Sequence, residues 1–490
     1  MKKLLVAIAA IFTLSAQAQT NTLLDQAFWR NKPDVGQVKA EVEKGNSPSQ
    51  LNPSSFDPVV MAINAGAPDE TIKYLLEQPG NAVDKITHDS RTYLHWAASR
   101  GNTAIMEVLI AKGAKANVGD SHGMTPLNFA AAGGQQNTAV YDLCLKAGAD
   151  LKKDLNHDGA NALLVAVAND KELKLTDYFT AKGLDIKSKD AAGRNAFAYA
   201  ARGGNITVLK TLLQRGVPAT NDALLMASQG GRGSSANLEV YQYLESLGLK
   251  PTATGKEGET VLHAIVRRPG QQEIITYFIG KGVDVNKADA EGNTAFMNAA
   301  ATNRDTATIA LLLPQVKNIN QANQKGLTAL TMAVRSNSPE VVQYLIRKGA
   351  SVAVVDQSGD NLAAHLIQSY TPRQAADFDA KLKLLQDKGV SLAAPQKNGN
   401  TLYHLAVTKN DIKLLKKLEA LQIDINAKNK EGLTALHKAA MVSQDDNMLK
   451  YLLSIGAKKE AQTSFNETAF DLASENESLT KNKVSVNFLK

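Results

Sequence analysis

A chain of 490 residues with one cysteine, Cys144, cannot form an intramolecular disulfide. Packing must therefore carry the fold even in an oxidising compartment. Aromatic residues are scarce, at 5%, which suits helices packed on Leu, Ala and Val better than an aromatic-lined ligand pocket. No cluster of Lys and Arg interleaved with aromatics appears, so the usual footprint of a nucleic-acid binder is missing. Beyond Leu14, no apolar run approaches the length of a transmembrane helix. His-Glu-x-x-His, Cys-x-x-Cys, Gly-x-Ser-x-Gly and the phosphate loop are all absent. No catalytic residue, cofactor or metal site is expected.

What is present begins at the N-terminus. Lys2 and Lys3 precede an apolar run from Leu4 to Leu14, and Ala16-Gln17-Ala18 offers the small residues that signal peptidase accepts. Residues 1–18 are expected to be a cleaved signal peptide, the mature chain starting at Gln19. The first mature residue is not a cysteine, so no lipid anchor is expected, and the product should be periplasmic or secreted. Setting Lys2 and Lys3 aside lowers the formal charge from +7 to +5, a weak bias toward acidic partners. The chain is too long for one ordinary core, which points to several domains or a repeat array.

Self-similarity at a fixed period selects the array. The block Asp120-Ser-His-Gly-Met-Thr125-Pro-Leu-Asn-Phe-Ala130-Ala recurs at Asp289–Ala300 and at Asn429–Ala440. Aligning the place of Thr125 gives Thr22, Asp57, Thr92, Thr125, Asn161, Asn195, Asp222, Thr260, Thr294, Thr328, Asn361, Thr401, Thr434 and Thr468. Spacings are 33 to 36 residues except at three steps. Each of these residues can cap a helix by accepting its free N–H groups. Alanine stands five residues later in twelve of the fourteen units, including Ala27, Ala97, Ala200 and Ala333. A small residue there lets neighbouring helices approach. A turn then leads to a second helix, ended by a glycine such as Gly113, Gly148, Gly183, Gly216, Gly282, Gly349 or Gly456 where a left-handed residue is needed.

These units resemble the ankyrin repeat, with Thr260-Val-Leu-His263 and Thr434-Ala-Leu-His437 as close matches and Pro126 in its typical place. The resemblance covers residues 20 to 475. It implies an all-α ankyrin-repeat solenoid of about fourteen helix-turn-helix units carrying β-turn fingers, and a chain that binds another protein. The expected division is a divergent capping unit at 19–52, a first arm of repeats at 53–219, a second arm with the C-terminal cap at 220–476, and a polar tail at 477–490. Three steps depart from the period: one of 27 residues where Gly216–Asp222 skips a finger, one of 38 padded by Gly230–Ser235, and one of 40 lengthened by Ser369–Arg373. The first two make residues 216–255 a candidate hinge; drift without consequence is the alternative.

Candidate site residues divide by position in the repeat. His95, His263, His404 and His437 occupy the Leu-His place, where the resemblance implies a structural ring. His88, His122 and His157 fall on three successive fingertips; zinc would need their nitrogens about 2 Å from one ion, so they are read as solvated tips able to touch a partner. Cys144 takes an aliphatic place in a second helix and is expected to be a buried thiol. Trp96, Phe129 and Tyr199 share one place in the first helix and are expected to pack between repeats. Arg202, Arg267 and Arg335 lie seven residues after the cap place, and Arg100, Arg268 and Lys409 lie eight after it. They either complement the negative C-terminal ends of the first helices or line a basic groove for an acidic partner. Gly230–Ser235 lacks the lysine of a phosphate loop and reads as a flexible turn, and Ser478-Leu-Thr-Lys481 has no companion motif.

The function expected is an exported, monomeric scaffold that holds a partner protein with fingertips and groove, without nucleic acid or membrane anchor. An inhibitor or immunity protein for an exported enzyme or toxin is the alternative. An enzyme with a site assembled across repeats and a purely structural spacer are weaker readings.

Overall fold

A computed structural model describes residues 21–231 and 236–490. The expected signal peptide, and residues 232–235 of the Gly230–Ser235 turn, lie outside the described residues. Within them the regular structure is helical, with 28 α-helices, seven short 3-10 segments and no strand. The chain forms two compact units, 1–236 and 237–490.

Each unit is a row of antiparallel helix pairs. In the first, Tyr93–Arg100 pairs with Thr103–Ala111 and packs against the next first helix, Pro126–Ala132. In the second, Ala295–Thr302 pairs with Thr306–Leu312 and packs against Ala329–Ser336. The repeated alanines make this contact close: Ala97, Ala130, Ala200, Ala299, Ala333 and Ala439 are fully buried. The second helices contribute the larger apolar side chains, such as Leu109, Tyr141, Phe179 and Leu345. The glycines that end them have φ between +79° and +99°, the left-handed conformation that a side chain disfavours.

Twelve of the fourteen aligned residues are helix N-caps, and the Asn161, Thr294 and Thr328 side chains each accept the N–H three residues on. Thr22 and Asp222 are corrections. Each is the first residue of its helix, and the caps are Asn21 and Asn221, one position earlier. The cause at Asp222 is the skipped finger, which leaves the chain entering the helix without the usual turn.

Fingers form by the same local chemistry in both units. Asp120 Oδ1 accepts the N–H groups of His122 and Met124 while its own N–H donates to Met124 O, closing the turn. Asp190, Asp289 and Asn323 repeat the pattern. Adjacent tips are tied by backbone hydrogen bonds, Ser121 to Asp89 O and His157 to His122 O in the first unit, and Gln324 to Glu291 O and Gln357 to Lys325 O in the second.

Both ends are more ordered than composition suggests. In the N-terminal unit Trp29 is buried and donates to Leu23 O at 2.8 Å. The stretch 46–58 is pinned by Lys85, whose ammonium reaches Ser49 O at 2.7 Å and the buried Asp57 carboxylate at 2.7 Å. Residues 477–490, expected as a polar tail, contain the helix Glu477–Lys481 and bury Leu479 and Leu489. These two buried leucines dock the stretch, which also carries Val484, Val486 and Phe488. No helix among the described residues is long and apolar enough to cross a membrane.

Candidate partner-binding site

The histidines of the Leu-His place are built into the frame. The Thr92 N–H donates to His95 Nδ1 at 3.2 Å, so Nδ1 carries the lone pair and Nε2 the proton, which goes to Met124 O at 3.0 Å in the next repeat. His263, His404 and His437 do the same toward Asn293, Leu433 and Ala461. A second proton would oppose the threonine N–H. Burial lowers the pKa of all four rings, that of His95 to about 4. Cys144 is fully buried, and burial pushes its thiol up to about 12, far from a nucleophile's range.

The fingertip histidines stand closer to one another than separated tips would allow. His88 Nε2 lies 3.4 Å and His122 Nε2 3.7 Å from the same Asp89 oxygen, which Arg91 Nη1 approaches to 3.0 Å. His88 is stacked on Phe56, and its Nδ1 faces Ser54 O at 2.9 Å. His157 is exposed on the following tip. Among the described residues no group of three His, Cys, Asp or Glu is arranged to hold a metal ion. The finger that presents Asp89 is strained: Asp89 and Ser90 have φ of +55° and +60°, Ser90 standing where other fingers have glycine.

Trp96 and Phe129 pack edge to face with centroids 5.6 Å apart, and Arg91 lies over Phe129 at 4.1 Å. Tyr199 instead turns its hydroxyl to Asp190, at 2.8 Å. Beside this row the first unit holds a cleft of about 330 Å³, lined at the finger end by Asp89, Arg91 and His122 and on its floor by Met124, Phe129 and Val165. Asn169, Tyr199 and Arg202 close the helix end.

The six cations predicted as a row have separate fates. Arg100 donates to Asn64 Oδ1 at 3.0 Å, Arg267 to the His263 carbonyl of its own helix at 3.2 Å, and Lys409 to Gln368 O. Arg267 thus caps its helix. Arg268 is half-buried. Arg335 is exposed beside a small cavity of the second unit shared with Tyr370 and Lys381. Arg202 alone of the six lines the cleft of the first unit. Its Nε donates to Gly230 O at 3.3 Å, and burial lowers its pKa.

Two residues escaped sequence reasoning. His365 occupies the Trp96 place, is 3% exposed and has Nε2 3.3 Å from Asp356; its signal was the shared register. Lys381 is buried and donates to Val334 O and Asn337 O, both at 2.9 Å. In neighbouring repeats an asparagine in the inter-helix turn does this work, as Asn337 does toward Ala300 O and Asn303 O.

A family model agrees with this architecture. The family model for ankyrin repeats (3 copies) matches residues 59–154, 163–289, 262–356, 373–463 and 403–484. The nuclear factor NF-kappa-B p105 subunit of Gallus gallus is 34% identical over 158 residues, 31% of this chain and 15% of that protein. The transient receptor potential cation channel subfamily A member 1 of Homo sapiens is 22% identical over 441 residues, 89% of this chain and 33% of that one. The chain thus spans a third or less of the length of these two relatives. A crystal structure of the human ASB11 ankyrin repeat domain aligns with a TM-score of 0.38 at 20% identity, covering 46% of this chain and 98% of that one. With its repeated caps, buried alanines, glycine-ended helices and tied fingers, the chain belongs to the ankyrin-repeat family.

Proposed function

We propose that this chain is an exported scaffold that holds a partner protein, with the cleft of the first unit as a principal contact. The cleft carries the reading: an open recess of about 330 Å³ with an apolar floor and polar ends, formed where fingers and first helices meet. Ankyrin repeats are mainly non-catalytic protein-binding scaffolds. The four Leu-His histidines are committed to the frame, and burial makes the one thiol a poor nucleophile. The basic start, apolar run and Ala16-Gln-Ala18 support export.

A photo-crosslinking amino acid placed at His122, on the cleft rim, tests the reading in the native cell at native expression. One dominant crosslinked protein is expected from that position. None is expected from Glu107, on an outer helix. Failure to recover any partner from His122 would overturn the scaffold role. Mass spectrometry of the mature N-terminus should find Gln19, and retention of Met1 would remove the export claim.

A further inference from the structure

Within the cleft, charge is distributed unevenly. At the finger end two carboxylates, Asp89 and Asp120, share one guanidinium, that of Arg91, at 3.0 and 2.9 Å. On the other wall Asp158 and Asp190 share Arg194, at 3.2 and 2.5 Å. Each acid at the cleft therefore has a cation, and neither of those cations is available to a newcomer. Arg202 differs. Among the described residues its guanidinium has one hydrogen bond, from Nε to Gly230 O, and the side chain lines the cleft with no carboxylate paired to it. A half-buried guanidinium has already lost much of its hydration, and a planar fork of donors matches a carboxylate better than a point acceptor.

Resting on the scaffold reading above, we infer that the cleft recognises a partner segment in which one carboxylate side chain adjoins an apolar one. The carboxylate pairs with Arg202 while its neighbour covers Phe129, Val165 and Met124. Charge complementarity sets the orientation. Arg91 is already shared by two carboxylates whereas Arg202 is paired with none, so the acidic residue is directed to the helix end. The same feature argues against a run of acids: a polyacidic tract would place further carboxylates against Asp89 and Asp158. The site reads one acid beside one apolar residue, which is narrower than a basic groove for acidic surfaces in general.

The test uses the full chain immobilised against a displayed library of random peptides, followed by binding of synthesised winners in solution. Enriched peptides are expected to share an Asp or Glu next to an aliphatic or aromatic residue. Arg202→Gln should weaken them roughly tenfold or more, the usual effect of losing a charge-assisted hydrogen bond. Replacing the peptide's acid by its amide should cost as much in the parent chain and little further in Arg202→Gln. Arg202→Lys, which keeps the charge without the fork, should fall between, and Arg100→Gln should bind as the parent does. Melting curves of the variants separate lost binding from lost folding. Absence of enrichment, peptides without an acid, or affinity unchanged by Arg202→Gln would each overturn the inference. A partner crosslinked from His122 whose capture ignores Arg202→Gln would sink the carboxylate reading and leave the scaffold standing; no crosslinked partner would remove the scaffold itself.

Discussion

Each Leu-His histidine is a residue whose protonation state the fold dictates. The folded His95 ring is held neutral with a pKa of about 4, against an ordinary value of 6.5. Below pH 6.5 the unfolded chain therefore binds a proton that the folded chain refuses. Stability is full above that pH and is lost as pH falls toward 4. His95 alone accounts for about 3 kcal/mol of this loss, at about 1.4 kcal/mol for each tenfold change. His263, His404 and His437 act in the same direction. Urea midpoints measured at pH 7 and pH 4.5 should show a marked drop, and His95→Gln should flatten it. An equal slope in the variant would contradict the assignment. These residues were legible in the sequence because the motif fixes both hydrogen bonds. The cation row was not, since where a long side chain finds its acceptor depends on neighbouring repeats rather than on its own register.

At the scale of elements, the contacts between neighbouring repeats have interchangeable parts. Asn303, Asn337 and Asn476 each bridge two carbonyls at the end of the preceding first helix. Where Ser369–Arg373 lengthens the turn, that asparagine is lost, and Lys381 reaches back from the helix Ala375–Asp387 to the equivalent pair. The sequence showed the long turn but not its replacement, because the lysine comes from a different element. Lys381→Met preserves bulk and leaves two carbonyls without their donor, so a loss of about 1–3 kcal/mol is expected. Calorimetry should detect it as a lowered transition, whereas an unaltered transition would mean the bridge contributes nothing. The finger edge is equally demanding. A Cβ on Gly326 would stand 2.7 Å from the Gln357 nitrogen at φ +78°, which would break the tip-to-tip hydrogen bond. Gly326→Ala should cost more than about 1 kcal/mol, and faster amide exchange at Gln357 is the local readout.

For the whole molecule, the consequence of repetition is that a repeat stabilises chiefly its neighbours. Cys144 offers a direct way to watch this. It is the only cysteine, fully buried in Thr138–Lys146, with a thiol that burial makes unreactive at neutral pH. A thiol reagent should therefore label it only when its own stretch of repeats opens. Gly123→Ala would put a Cβ 2.9 Å from the His157 nitrogen on the neighbouring tip, beside the repeat that carries Cys144. It should accelerate labelling several-fold. Lys381→Met perturbs a repeat several units further along the chain and should leave the labelling rate at the parent value, even though it lowers the calorimetric transition. Were both substitutions to speed labelling equally, the array would be opening as one cooperative body, and the nearest-neighbour account of its stability would fail. A reductant should leave the calorimetric transition unchanged, since no disulfide within the chain is available to break.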